Sequence, residues 1–212
     1  MTVDMKQYLD DFIRENGLFE NETVILPNVS VNPETIKVIM INEVAPKNPA
    51  DDFYGSGTSG APDALDTPDY MKTTKMLFKS AGIDIETAED LLALGIYVTN
   101  AVKTPKTEYA IETKTILEHA VVLEKELELF PNLKAVMLMG DVAKKSFNSI
   151  SKKKTKKAVI PSGSTYKLRK EKFYDGDIRV FPSYIMTGGN ILIEKSKTIM
   201  IAEDLEEMKA FL

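Results

Sequence analysis

The sequence predicts an α/β fold with a buried β-sheet whose strands run parallel. The first observation is that four short apolar runs stop abruptly at polar residues, glycine or proline: residues 38–41, 96–98, 135–139 and 180–181. The second is that helical spacing separates these runs, which is typical of strands covered by helices on both faces. Ligands bind at the carboxyl ends of parallel strands. We therefore expect one pocket to collect the polar residues that follow the runs: Asn42, Glu43, Asn100, Asp141 and Ser183.

The N-terminal part of the chain supplies a helix, the first strand and a long loop. Residues 5–15 have helical spacing, with Tyr8 and Phe12 on one face. The first strand is predicted at 35–41. A stretch rich in glycine, proline, serine, threonine and aspartate follows at 43–68, and loops of this length in a folded domain usually have a function.

The middle of the chain alternates helices and strands. Helices are predicted at 70–80, at 85–94 with Thr87 as N-cap, and at 111–129 before Pro131. The second strand is predicted at 95–99, the third at 134–139, and a further helix at 140–149. Asp141 is favourably placed against the dipole of that helix.

The C-terminal part is predicted to hold a hairpin and a last helix. Residues 166–168 and 177–181 are expected to form two strands around a turn at Asp175 and Gly176, the second being the fourth strand of the sheet. A loop at 182–190 then leads to a helix that ends at residue 212. Neither a repeat nor a linker interrupts the pattern, so residues 1–212 are predicted to form a single domain.

The composition narrows the classes of function. The chain has no cysteine and a single histidine, His119, which excludes disulfides, zinc–thiolate sites, iron–sulfur clusters and cysteine nucleophiles. No metal and no cofactor are expected. No apolar run is long enough to span a membrane, and the N-terminus lacks a signal-peptide pattern, so we expect a cytoplasmic protein without membrane contact.

The charge is distributed unevenly along the chain. The net charge is −5, but residues 144–172 contain eleven lysines and arginines against one glutamate, so this window carries +10 and the remainder −15. Its densest part includes Lys152, Lys153 and Lys154, which we interpret as contacts to a nucleic-acid backbone. The alternative interpretation is a solvated segment whose charge only keeps the protein soluble.

Four motifs together resemble the uracil-DNA glycosylase superfamily. Asn-Glu-Val-Ala-Pro at 42–46 is similar to the family's Gly-Glu-Ala-Pro motif, and 97–105 resembles its second strand, which an asparagine ends. The segment 133–143 resembles the third strand and its turn, and Val-Phe-Pro-Ser-Tyr at 180–184 resembles the start of the last motif. Their order and spacing agree from about residue 38 to the C-terminus.

This resemblance implies a three-layer α/β/α domain around a four-stranded parallel sheet, with a pocket for a base flipped out of DNA. It places Asn100 where the family reads the base, and an amide that both donates and accepts suits the O4 and N3–H of a pyrimidine. Phe53 or Tyr54 matches the aromatic that stacks on the base. The alternatives are a strand-end cap for Asn100 and a core anchor for the aromatic.

The resemblance also implies a catalytic carboxylate. Glu43 stands at the acidic position of the first motif, where it would stabilise the sugar cation or orient a water molecule, unless it is only an N-cap or a structural ion pair. Asn42 replaces the family's glycine and would either position the water or obstruct the pocket. Both residues are therefore catalytic candidates.

The last motif departs from the family. Ile185 replaces the histidine that stabilises the departing base, which argues against efficient uracil excision. Thr187 keeps a hydroxyl at the family's serine position, and Gly188 follows it, so both are predicted to contact nucleic acid. His119 is predicted to be a surface or boundary residue that cannot substitute.

Three hypotheses follow. The first is a divergent, cysteine-free member of this superfamily that hydrolyses the N-glycosidic bond of uracil or a damaged base in DNA. The second is a catalytically silent protein that binds a base, a nucleotide or nucleic acid (DNA, or alternatively RNA). The third is an unrelated α/β enzyme acting on a phosphorylated substrate, but the chain has neither Gly-x-Gly-x-x-Gly nor a P-loop. A monomer is expected in each case.

Overall fold

The computed structural model of the protein describes residues 1–55, 69–105 and 110–212. Its strands are β1 (Val3–Asp4), β2 (Ser30–Val31), β3 (Val38–Ala45), β4 (Ile96–Pro105), β5 (Ala135–Met139), β6 (Phe173–Asp175) and β7 (Ile178–Ser183). Its α-helices are α1 (Met5–Glu15), α2 (Asp69–Ser80), α3 (Ala88–Ala93), α4 (Thr113–Leu127), α5 (Asp141–Thr155), α6 (Thr165–Leu168) and α7 (Lys195–Met208).

The central sheet has five strands in the order β4-β3-β5-β7-β6, and the α/β class predicted from the sequence is confirmed. Four strands are parallel, while β6 runs antiparallel to β7. The prediction of a four-stranded, purely parallel sheet is therefore wrong by one strand. A separate antiparallel pair joins β1 to β2 near the N-terminus.

The hairpin was predicted with the wrong first strand. Residues 166–168 belong to α6, and the partner of β7 is β6, whose Asp175 pairs with Ile178. The reason is geometric: Gly176 adopts a left-handed φ of 60°, so a tight turn pairs the residues immediately beside it. The edge position is then filled, and no place remains for 166–168.

Two strands and one helix extend beyond their predicted ends. Strand β3 continues to Ala45 and β4 to Pro105, since Asn42 and Asn100 pair directly across the two strands and continue the ladder. Helix α5 runs to Thr155 rather than residue 149, and it ends where Lys156 adopts a left-handed φ of 64°. Residues predicted to follow strands 1 and 2 therefore lie within the sheet.

Helices flank the sheet and bury its central strands. Helix α4 packs on α5 and β4, α5 also packs on β3 and β5, and α7 packs on α2 and β7. His119, predicted at the surface, is completely buried. It lies three residues after Ile116 and four before Leu123, so helical spacing places it on the core face of α4. None of the helices in the described ranges is long and apolar enough to cross a membrane.

The predicted loop at 43–68 lies only partly within the described residues. Its beginning belongs to β3, and a short 3-10 helix at Pro49–Asp51 leads to Phe53, Tyr54 and Gly55. The part at 56–68 lies outside the described residues. The helices predicted at 70–80 and 85–94 are confirmed as α2 and α3, and Thr87 caps α3 by accepting a hydrogen bond from the Asp90 N–H.

Candidate functional site at the carboxyl ends of the sheet

A cavity of about 530 Å³ lies at the carboxyl ends of β3, β5 and β7. Glu43 of β3, Gly140 after β5 and Ser183 of β7 line it. Strands β4 and β5 lie on opposite sides of β3. The connection after β3 leads to β4 on one side, whereas the connection after β5 leads towards β7 and β6 on the other. Such a divergence opens a crevice at the strand ends, which is where open α/β sheets bind their ligands.

Glu43 reaches the start of helix α5. Its Oε1 accepts a hydrogen bond of 2.9 Å from the backbone N–H of Val142, in the first turn of the helix. The helix dipole stabilises a negative charge at this position. The N-cap residue of α5 is Gly140, so Glu43 is not itself the N-cap; it accepts this N–H from the strand β3, and the same carboxylate also lines the cavity.

Gly140 allows the wall of the cavity to close tightly. Its φ is +108°, a conformation that side chains rarely adopt, and an added Cβ would collide with Glu43 Oε1 and lie 2.7 Å from Ile185 Cγ1. Ile185, the residue at the family's histidine position, is 40% exposed and lines the same cavity. It presents a branched apolar side chain beside the carboxylate.

A chain of hydrogen bonds joins Thr187, in the cavity wall, to the buried interior. Thr187 Oγ1 donates to Asn42 Oδ1 at 3.1 Å, and Asn42 Nδ2 donates to Asn100 Oδ1 at 2.9 Å. Asn100 Nδ2 then donates to Asp52 Oδ1 at 2.7 Å. Both asparagines and Asp52 are buried, and burial raises the pKa of Asp52 against the opposing effect of the Asn100 hydrogen bond.

The structure thus separates residues that the sequence predicted to share one pocket. Glu43 and Thr187 line the cavity together, while Asn100 is not among its lining residues and connects to it through Asn42. Gly188 follows Thr187 as an exposed residue with a left-handed φ of 89°.

The two candidate aromatics are buried against other rings. Tyr54 stacks on Tyr97, with 6.1 Å between centroids, and its hydroxyl accepts the Val98 N–H at 3.0 Å. Phe53 packs on Tyr70, with 5.2 Å between centroids, and neither candidate is among the residues that line the cavity at Glu43. Burial raises the pKa of Tyr70 to about 12.

The densest part of the basic window, at Lys152, Lys153 and Lys154, lies far from this cavity. Helix α5 starts at the cavity and has 15 residues, so Lys152, Lys153 and Lys154 in its last turn are separated from it by roughly 20 Å. Lys153 forms an ion pair of 2.9 Å with Glu124, and Lys154 lies 4.0 Å from the same carboxylate. The carbonyl end of the helix also favours positive charge there.

Sequence reasoning missed Asp204, which lies behind the cavity. The hydroxyl of Ser183 donates to Asp204 Oδ2 at 2.6 Å, and Arg169 contacts Asp204 Oδ1 at 2.6 Å. Burial raises the pKa of Asp204, although the contacts with Arg169 and Ser183 oppose that shift. A signal existed in the sequence, because Asp204 lies at helical core spacing between Ile201 and Met208.

A second group missed from the sequence surrounds Lys103 on the other face of β4. Lys103 Nζ contacts Glu126 Oε2 at 2.7 Å, and Glu126 Oε1 accepts hydrogen bonds from Tyr97 at 2.5 Å and Thr99 at 2.8 Å. Both charged side chains are buried, at 0% and 1% exposure. Glu126 also lies on the core face of α4, so helical spacing alone would have identified it.

His119 belongs to the same region as Lys103. Its ring stacks on Phe19 with 4.2 Å between centroids, and Nδ1 accepts the backbone N–H of Lys103 at 3.3 Å. Burial, with the charge of Lys103, lowers the pKa of His119 to about 4. The imidazole is therefore neutral at pH 7, with its remaining proton on Nε2 facing Thr104.

Comparisons with protein families and curated proteins do not connect this site to a known family. No protein-family model matches the chain, and a search of curated proteins finds no match. The part of the chain that the structure describes contains no group of three histidine, aspartate or glutamate side chains able to hold a metal ion.

Proposed function

We propose that this protein is a divergent member of the uracil-DNA glycosylase superfamily that binds a nucleobase at the carboxyl ends of its sheet. The observation that carries the proposal is the cavity at Glu43, which lies at the diverging strand ends and has Thr187 in its wall. The motifs from which the resemblance was drawn lie on the strands and loops around this edge. Asn42 connects Thr187 to Asn100, so residues of three motifs form one hydrogen-bonded chain.

The proposed reaction is slow hydrolysis of the N-glycosidic bond of uracil or a damaged base. The oxygen of a water molecule bonds to C1′ of the sugar while the C1′–N bond breaks and its electron pair leaves with the base. Glu43 stabilises the positive charge that builds on the sugar, or takes a proton from the water. Its partner at Val142 holds one carboxylate oxygen in place at the start of α5.

A single replacement limits the proposed rate. Ile185 has no hydrogen-bond donor for the negative charge that develops on the leaving base. Losing one such donor typically costs about 10²–10³ in rate, or roughly 2.7–4 kcal/mol. The side chain lines the cavity beside Glu43, so a donor at this position would face the same space.

The test is cleavage of oligonucleotides that carry uracil or one of several damaged bases, in single and double strands. We expect slow excision from at least one substrate, a loss of this activity in Glu43→Gln, and an increase of about 10²–10³ in Ile185→His. Glu15→Gln changes an exposed glutamate of α1 and serves as the matched control. Excision that proceeds equally well in Glu43→Gln would contradict the catalytic role of Glu43.

A second candidate function is a catalytically silent base-binding protein of the same fold. The apolar Ile185 in the cavity wall favours it, because binding does not require stabilisation of a leaving group. If no substrate is cleaved, even by Ile185→His, while a base still binds at the cavity, this function replaces the glycosylase.

A further inference from the structure

We infer that Tyr166 supplies the ring on which a nucleobase stacks in the cavity at Glu43. This inference rests on the proposed function, since it takes the ligand to be a base. It assigns the stacking role to a residue of α6 instead of the segment after β3. Its basis is the position of Tyr166 in the cavity wall, its exposure, and the way in which α6 is fixed to the rest of the protein.

The rings that the sequence predicted to stack are already packed in the interior. Phe53 and Tyr54 are each 2% exposed, and they lie against Tyr70 and Tyr97. Turning either ring towards the cavity would remove it from the core and, for Tyr54, would break the hydrogen bond with the Val98 N–H. A base in the cavity therefore needs a stacking partner from another part of the chain.

Two other aromatic residues line the cavity: Tyr166 of α6 and Tyr184 after β7. The ring of Tyr184 already has the ammonium group of Lys197 near it, 5.6 Å from the ring centroid. Tyr166 is 68% exposed, so much of its ring is in contact with water. A flat base that covers this ring removes apolar surface from water and gains the attraction between stacked rings. Tyr166 is therefore the better placed of the two tyrosines.

Helix α6 is anchored to the protein on its inner side, which fixes the backbone beneath Tyr166. Leu168 is buried in the core. Arg169, directly after the helix, is also buried; it donates to the carbonyl oxygen of Met200 and pairs with Asp204 at 2.6 Å, both in α7. A ring that is held in place before the ligand arrives loses little conformational entropy on binding.

The polar lining of the cavity suits a neutral ring with carbonyl and N–H groups. Hydroxyl groups line the cavity at Ser164, Thr165, Tyr166 and Tyr184. A hydroxyl can donate to a carbonyl oxygen of uracil or accept its N–H. Asp141 pairs with Lys144 and Glu194 with Lys197, while Glu43 lies against the positive N-terminal end of α5. With its charges offset in this way, the cavity does not favour a phosphate and accommodates an uncharged base.

The experiment measures binding of the full chain to a single-stranded oligonucleotide that carries one 2′-fluoro-2′-deoxyuridine, whose fluorine destabilises the sugar cation and slows cleavage. The same oligonucleotide with an abasic analogue at that position is the reference probe. Tyr166→Ala should weaken binding of the uracil probe about 5–150-fold, which corresponds to roughly 1–3 kcal/mol for one stacked base, and should leave the abasic probe unchanged. Tyr166→Phe keeps the ring and should retain the affinity.

A fluorescence measurement tests the stacking directly. The chain has no tryptophan, so Tyr166→Trp gives the protein a single one. We expect the uracil probe to bind this variant and quench its fluorescence, because the base lies on the indole ring, whereas the abasic probe should not quench it. Tyr174 is the matched control, since it is 52% exposed on β6 and is not among the residues that line the cavity. Tyr174→Ala should keep the affinity, and Tyr174→Trp should not be quenched. Circular dichroism confirms that each variant is folded.

The outcomes separate this inference from the proposed function. If the uracil probe binds more tightly than the abasic probe and Tyr166→Ala keeps that preference in full, the base site stands and the inference is overturned. If the wild type shows no preference for the uracil probe, both the base site and the inference are overturned. A loss in Tyr166→Ala that is equal for the two probes, or a Tyr166→Trp fluorescence that the bound uracil probe leaves unchanged, would show that Tyr166 does not stack on the base.

Discussion

Strand β4 carries two buried polar clusters, one on each face, and they differ in whether they reach a cavity. On one face, Asn100 is the middle of a chain that runs from Asp52 through Asn42 to Thr187 in a cavity wall. On the other face, Lys103 and Glu126 form an ion pair with each other. Both side chains are buried between α4 and the sheet. Successive side chains of a strand point to opposite faces, so one strand serves both clusters.

The difference shows that burial and polarity do not by themselves indicate a binding site. The cluster at Lys103 is the more deeply buried and the more highly charged, yet Lys103, Thr99 and Tyr97 all direct their polar groups towards Glu126. The chain at Asn100 ends on a residue that lines a cavity. We therefore assign a structural role to the enclosed cluster, whereas the open chain is the one that connects the interior to the cavity of the proposed function.

The largest expected effect is in the enclosed cluster. Lys103→Ala leaves the charge of Glu126 buried without its partner and should lower the free energy of unfolding by about 3–5 kcal/mol, measured by urea denaturation. Lys153→Ala breaks a more exposed ion pair with Glu124 and should cost at most about 1 kcal/mol. The double variant Lys103→Met, Glu126→Leu should recover most of the loss. A loss below about 1 kcal/mol in Lys103→Ala would contradict a structural role.

A smaller effect should appear as pH falls. Burial disfavours the charged form of His119, so its pKa is about 4 in the folded protein, against 6.5 for an unperturbed histidine such as that of the unfolded chain. The unfolded chain binds the proton more readily between these values. The free energy of unfolding is therefore unaffected by this group above pH 6.5. It decreases as the pH falls from 6.5 to 4, by up to about 3 kcal/mol. Denaturation at a series of pH values measures this loss.

His119→Gln supplies the control for the pH series, since glutamine has no titrating group and keeps a hydrogen-bond acceptor for the Lys103 N–H. The difference in unfolding free energy between wild type and variant should change with pH only between about 4 and 6.5. A constant difference across that range would show that His119 is not the group responsible.

The smallest expected effect is at the cavity. Gly140→Ala introduces a Cβ at φ +108°, against Glu43 and Ile185, and should cost about 1–3 kcal/mol while weakening ligand binding. Gly82→Ala is the matched control, because Gly82 also has a positive φ, of 69°, but open space around it. If both variants lose the same stability and neither affects binding, the close approach of Glu43 to Gly140 has no functional consequence.

The sequence predicted the α/β class and the strands β3, β4, β5 and β7, because short apolar runs between helical patterns are a local signal. It also identified the edge of the sheet at which Glu43 and Thr187 meet. Periodicity contained further information about α4 and α7, where His119, Glu126 and Asp204 lie on the core faces. Charged residues at core spacing are thus a readable sign of buried polar clusters.

Tertiary structure alone decided how these residues connect. Asn42 meets Asn100 across 58 positions of the chain and Thr187 across 145, so no local pattern specifies which group donates to which. The position of Lys152, Lys153 and Lys154, a helix length from the cavity, depends on where α5 ends. The sequence by itself determined which residues are polar at the strand ends. The packing of α7 and the register of β3 with β4 determined which of their polar atoms bond to one another, because hydrogen bonds form only between groups that the fold brings together.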